Sequence, residues 1–155
     1  MIRGSCLCGG VAFEASDQIE FRNCHCSRCR KARGAAYASN VFVRPADFRW
    51  LRGEDLLINY RLPGAQRFGN GFCRTCGSPM PRAVPMRDLI VVPAGSIDRD
   101  PGIRPTYHIF VGSKAPWHTI TDDRRPSAAA SLCLLRWMSR PPRKYISGRS
   151  ENTSV

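Results

Sequence analysis

Seven of the eight cysteines fall in three blocks with metal-ligand spacing: Cys6-Leu7-Cys8, Cys24-His25-Cys26-Ser27-Arg28-Cys29 and Cys73-Arg74-Thr75-Cys76. A tetrahedral zinc site is closed by four thiolates, and structural sites are often assembled from two pairs on distant loops. In Cys73-Arg74-Thr75-Cys76-Gly77 the two-residue spacer lets both sulfurs face one ion, and the glycine relieves the turn. Cys6-Leu7-Cys8-Gly9-Gly10 is the tighter form of the same device. Pairing the two blocks gives Cys6, Cys8, Cys73 and Cys76 as a structural zinc site that staples the first and middle strands; the competing reading is four reduced, unliganded thiols.

Cys24, Cys26 and Cys29 then have no spare cysteine in the body to close their own site. Three protein ligands and one open position is the usual plan of a catalytic zinc. Three thiolates leave such a centre with a formal charge of −1, which makes it a poor generator of hydroxide and better suited to a thiol or an aldehyde oxygen. Arg22, Arg28, Arg30, Lys31 and Arg33 offset that charge and attract an anionic substrate. Arg28, Arg30 and Arg67 are the candidates to hold substrate carboxylates as bidentate partners. Two other readings stay open: a second structural site completed by a ligand such as His25, or a redox cysteine cluster. His25 lies between two ligands, so its side chain is expected to point away from the metal. His108 and His118 read as packing or hydrogen-bonding residues, and Trp50 and Trp117 as core or pocket walls. Cys133 has no ligand partner nearby in sequence and reads as a plain thiol.

The elements that must position these residues are short and mostly β. Strand character is carried by Gly10 to Ala15, Ala36 to Val43, Phe48 to Leu51, Leu56 to Arg61 and the apolar run Asp88 to Pro93, with a further stretch at Tyr107 to Val111. Glu20 to Arg22 leads into the three-cysteine block, and Ala32-Arg33-Gly34 predicts a helical turn stopped by glycine. Gly69-Asn70-Gly71 predicts a tight turn or bulge; it lacks the Lys-Ser/Thr ending of a phosphate loop. No internal repeat is visible. Residues 1–123 read as one domain, with a basic, Pro-rich extension at 124–155 read as disordered apart from an amphipathic turn or two in Ala128 to Met138.

A length of 155 residues with 43% hydrophobic composition suits one folded domain. No apolar run is long enough to span a membrane, and the N-terminus lacks the apolar core of a signal peptide. A reducing cytoplasm is therefore expected, with thiols or metal ligands rather than a disulfide framework. The net charge of +12 raises nucleic acid as a partner. Half of that excess lies in residues 124–155, however, which argues against nucleic acid for the body and suits a small anionic substrate.

Gly4-Ser5-Cys6-Leu7-Cys8-Gly9-Gly10-Val11, Cys24-His25-Cys26-Ser27-Arg28-Cys29-Arg30-Lys31 and Phe72-Cys73-Arg74-Thr75-Cys76-Gly77-Ser78, followed by His108 to Trp117, resemble the glutathione-dependent formaldehyde-activating enzyme family, which also contains centromere protein V. The resemblance spans about residues 2–123. It implies a β-tent fold, mainly β, of small antiparallel sheets pinned at one end by the four-cysteine zinc. It implies a structural zinc on Cys6, Cys8, Cys73 and Cys76, and a catalytic, more labile zinc on Cys24, Cys26 and Cys29. The implied activity is that of a carbon–sulfur lyase on a thiol adduct, the namesake reaction joining glutathione and formaldehyde to S-hydroxymethylglutathione. The alternative is a non-catalytic two-zinc module that binds nucleic acid or protein. A thiol–disulfide or methionine-sulfoxide reductase would need a free reactive cysteine, which a body with all seven cysteines on metal does not have. Residues 124–155 depart from the family pattern, and no function carries over to them.

Overall fold

The computed structural model describes residues 1–66, 68–84 and 87–123 and the backbone of 125–127. The expectations for Arg67, for Cys133, for the turns at Ala128 to Met138 and for a disordered extension lie outside the described residues.

Three small sheets share one core. The first is antiparallel, in the order β1 (Ile2–Ser5), β2 (Ala12–Ala15), β5 (Phe48–Arg52). In β1, buried Ile2 and Gly4 alternate with exposed Arg3, the two-residue period of a half-buried strand. Every residue of β2 is buried. Its Phe13, fully enclosed, stacks on Phe48 with ring centroids 5.7 Å apart and meets the edge of Trp50 at 6.2 Å. Trp50 is therefore a core residue, as expected. Buried Glu14 reaches the surface through Arg3 (3.1 Å) and Arg49 (2.6 Å).

The second sheet has six strands in the order β12 (Arg125–Ser127), β11 (Tyr107–Ile109), β3 (Gln18–Cys24), β4 (Ala38–Val43), β10 (Ile90–Pro93), β9 (Arg82–Ala83). β3, β4, β10 and β9 pair antiparallel with one another, and Val41, Val43 and Val92 are fully buried between the sheets. The third sheet is β6 (Leu57–Arg61), β7 (Gly69–Cys73) and β8 (Pro79–Met80), again antiparallel. Between β3 and β4 lies helix α1 (Ser27–Arg33), stopped by Gly34 at φ 58° as its sequence predicts.

The architecture is the mainly β assembly of small sheets expected, with three differences of detail. β11 pairs with β3 in parallel, and β12 with β11 likewise, at the edge beside the three-cysteine block. Gly69-Asn70-Gly71 forms no turn: it is the body of β7. A side chain at residue 71 would press within 3.1 Å of Met80 O, so glycine here serves close strand approach. Trp117 is 71% exposed and is neither core nor pocket wall, because it sits on a surface turn before His118. No helix among the described residues is long and apolar enough to cross a membrane.

Candidate metal centre and its cavity

Four sulfurs meet where the loops after β1 and β7 converge. The Sγ atoms of Cys6, Cys8, Cys73 and Cys76 all lie within 4.8 Å of one another. Cys6 and Cys73 are buried, Cys76 half-buried and Cys8 exposed. The turns are fixed by their own backbone: Gly9 N–H donates to Cys6 O at 2.9 Å, and Gly77 N–H to Cys73 O at 2.9 Å. Burial pushes the Cys6 thiol up, but the Val11 N–H, 3.2 Å from Cys6 Sγ, and the neighbouring thiols bring it below its ordinary value. Ser78 Oγ, 3.2 Å from Cys76 Sγ, accepts from Leu7 N–H and holds the Cys76 thiol down, to about 5.

The second cluster is local. Cys24 ends β3, Cys26 is the N-cap of α1 and Cys29 sits in its first turn. Extended backbone turning at once into helix brings the three sulfurs within 4.8 Å of one another. Cys29 N–H donates to Cys26 Sγ at 3.4 Å, which is the capping contact of the helix. The Cys24 and Cys29 thiols both hold Cys26 down, to about 2, against burial and with further help from backbone N–H groups. Cys24 is pushed up to about 11, chiefly by its hydrogen bond to Cys26, and Cys29 is raised by its hydrogen bonds to both partners and by burial. The crowding thus favours the thiolate at Cys26 over its two neighbours, and a thiophilic cation would displace the protons that remain. Both clusters could hold a metal ion, and their all-sulfur donor sets fit zinc.

The three sulfurs open on a cavity of about 290 Å³. Five arginines line it, Arg22, Arg28, Arg33, Arg82 and Arg87, and among the described residues no acidic side chain does. Arg22 is already committed to Glu20 and lies over the Phe42 ring at 4.7 Å. Arg33 donates to Asn70 Oδ1 at 2.6 Å, while its Nε is buried without a partner. Burial lowers the Arg33 and Arg82 pKa values, and Cys29 opposes that in both. Asn40 Oδ1 is a second buried atom without a partner on the same wall. The remaining wall is apolar, with Phe42, Phe68 and Phe110. Phe110, at φ 57°, is the one non-glycine residue in the left-handed region among those described. A larger cleft of about 1000 Å³ runs beside Cys6, Tyr37 and His118 and contains none of the three clustered sulfurs.

Of the arginines expected to meet carboxylates, Arg28 lines the cavity and Arg30 does not. Arg33, one helical turn beyond Cys29, could have been placed there from its spacing. Arg82 and Asn40 arrive from β9 and β4, and no local pattern announces them. His25 points away from the sulfurs, as expected: its ring is fully buried and packed against Tyr37, His108 and His118. Burial, reinforced by the neighbouring His108 and His118, lowers its pKa to about 4.

A mainly β scaffold of small sheets that presents one four-thiol and one three-thiol cluster, each able to hold a metal ion, defines the class of this chain. The profile of the glutathione-dependent formaldehyde-activating enzyme family matches residues 1–113, and the chain belongs to that family. A search of curated proteins found no match. Among solved structures, the chain is similar to a Rhodobacter sphaeroides protein from structural genomics. The two share 28% identity with a TM-score of 0.51, and the match covers 66% of this chain and 91% of the other.

Proposed function

We propose that the chain is a zinc-dependent enzyme of the carbon–sulfur lyase type acting on a thiol adduct, with glutathione and formaldehyde as the first pair to test. Residues 1–123 are its working unit. Cys6, Cys8, Cys73 and Cys76 would hold a structural zinc, and Cys24, Cys26 and Cys29 a catalytic one. The observation that carries this reading is the opening of the three-cysteine cluster into an arginine-lined cavity free of described acidic side chains. Zinc bound there supplies a Lewis acid that keeps a substrate thiol ionised at neutral pH.

The chain's own residues account for binding and orientation. Arg28, Arg33 and Arg82 offer charged donors to carboxylates on the thiol, and the unpartnered Arg33 Nε and Asn40 Oδ1 gain a partner when a polar ligand enters. Phe42, Phe68 and Phe110 give the cavity an apolar wall against which the uncharged part of the substrate would pack. In the synthetic direction the carbon–sulfur bond forms as the carbonyl π bond breaks, and the proton lost by sulfur ends on oxygen; the lyase direction reverses each change. A reducing cytoplasm would keep the seven described cysteines available as metal ligands.

The test is magnetisation exchange by NMR between free aldehyde and thiol adduct, with zinc-loaded full-length protein. Faster exchange with wild type, lost in a folded Cys26→Ser variant, supports the enzyme. Equal rates with and without protein, together with a salt-dependent affinity for DNA, would return the non-catalytic module.

A further inference from the structure

The chain has three histidines, and all three converge behind the three-cysteine turn, a cluster that the chemistry above does not use. His25 is held from two directions by β11. Its backbone N–H donates to Ile109 O at 2.9 Å, and its Nε2 lies 2.7 Å from His108 Nδ1. His108 Nε2 in turn lies 2.9 Å and 3.2 Å from the two carboxylate oxygens of Asp122. His118 stacks on the His25 ring at 5.8 Å, and Tyr37 closes on it at 5.2 Å.

Proton placement along this chain follows from its outer end. A carboxylate can only accept, so His108 carries a proton on Nε2, and in the neutral ring its Nδ1 accepts. His25 must then carry its proton on Nε2 and donate it to His108. The polarity set by Asp122 thereby fixes the tautomer and ring orientation of a residue bonded on either side to Cys24 and Cys26. A side chain only 3% exposed, His108, connects a surface carboxylate that is 42% exposed to that turn. The parallel register, with Ile109 opposite Cys24, adds the backbone half of the same clamp.

We propose that Asp122, through His108 and His25, positions Cys24 and Cys26 for metal binding, so that the affinity of the three-cysteine site depends on a residue that touches none of its sulfurs. This rests on the reading of Cys24, Cys26 and Cys29 as a metal site. Partners hydrogen-bonded directly to a metal ligand typically change affinity by about 10- to 100-fold, and Asp122, acting through two further side chains, is expected at the lower end of that range. Asp122 is a positioning residue, and its effect is confined to one of the two clusters, since Cys6, Cys8, Cys73 and Cys76 are held by β1, β7 and their turns.

The experiment measures stepwise zinc affinities of the full chain by competition with a chromophoric chelator, for wild type, Asp122→Ala and Asp122→Asn. Thiolate-to-metal charge transfer after cobalt(II) substitution is followed in parallel. Asp122→Ala is expected to weaken the looser site about 10-fold, with the tighter site unchanged and the melting temperature lowered only slightly by the loss of the His108 acceptor. Asp122→Asn, whose carbonyl still accepts from His108, is expected to restore most of the loss. Unchanged affinities in Asp122→Ala overturn the proposal, and so does a parallel loss at both sites with a lower melting temperature. A wild-type chain that binds only one ion overturns the metal reading beneath it.

Discussion

Glu14 shows how a single charge is made compatible with the core. It sits on β2, where every neighbour is buried, and its side chain is only 8% exposed. Arg49 holds its carboxyl below the ordinary 4.5 against burial, and Arg3 helps. A carboxyl with a depressed folded pKa stabilises the native state fully above its unfolded value and loses that contribution as pH falls through the folded one. Glu14→Gln is therefore expected to lower the melting temperature at neutral pH and to converge on wild type in acid. Parallel melting curves of the two proteins across that range are the check, and a pH-independent difference would sink the idea. The cysteines are the most legible residues in the chain, because C-x-C and C-x2-C spacings state a geometry that the fold has only to bring together. Asp122 is illegible for the opposite reason. It meets His108 across 14 positions, with no spacing rule to announce the pair. Arg82 and Asn40 likewise enter the cavity from strands whose order the sequence does not reveal.

Among the elements, β1 depends on one position without a side chain. A Cβ at Gly4 would run into Ser96 O and the Phe13 ring, since β1 lies against both the core and the bridge to Ile97. Gly4→Ala is expected to cost roughly 1–3 kcal/mol by overpacking, measured by denaturant unfolding; a change within a few tenths would mean that the strand can shift freely. The sequence conceals this strand because Ile2 is its only large apolar residue. Helix α1 is predictable from Gly34. Gly69-Asn70-Gly71 misleads because glycine reads as a breaker, whereas here it permits strands β6, β7 and β8 to approach. The parallel placement of β11 is hidden as well: Tyr107 to Val111 shows strand character, but nothing local tells which strand it will join or in which direction.

At the scale of the whole molecule, the four-cysteine cluster ties the loop after β1 to the loop after β7, while the three-cysteine cluster lies within the single turn from β3 into α1. If each holds zinc, their removal has different consequences. Cys73→Ala is expected to abolish the cooperative thermal transition, because structural zinc contributes folding free energy directly. Cys26→Ala is expected to leave a folded protein that binds one fewer ion. Circular dichroism and metal analysis of the two purified variants decide it: global unfolding of Cys26→Ala would make its site structural.

The distribution of the seven sulfurs along the chain also has a consequence in time. Cys24, Cys26 and Cys29 lie within one six-residue stretch and need little loop closure to meet, whereas Cys6 and Cys8 must wait for a distant segment to return, at the entropic cost of closing a long loop. If both sets take metal, a refolding chain is expected to fill the three-cysteine set early and the four-cysteine set late. Stopped-flow refolding of the apo protein with cobalt(II) should show two steps of thiolate absorption, the slower one keeping pace with the appearance of β-structure; a single concerted step would mean that neither site forms ahead of the fold.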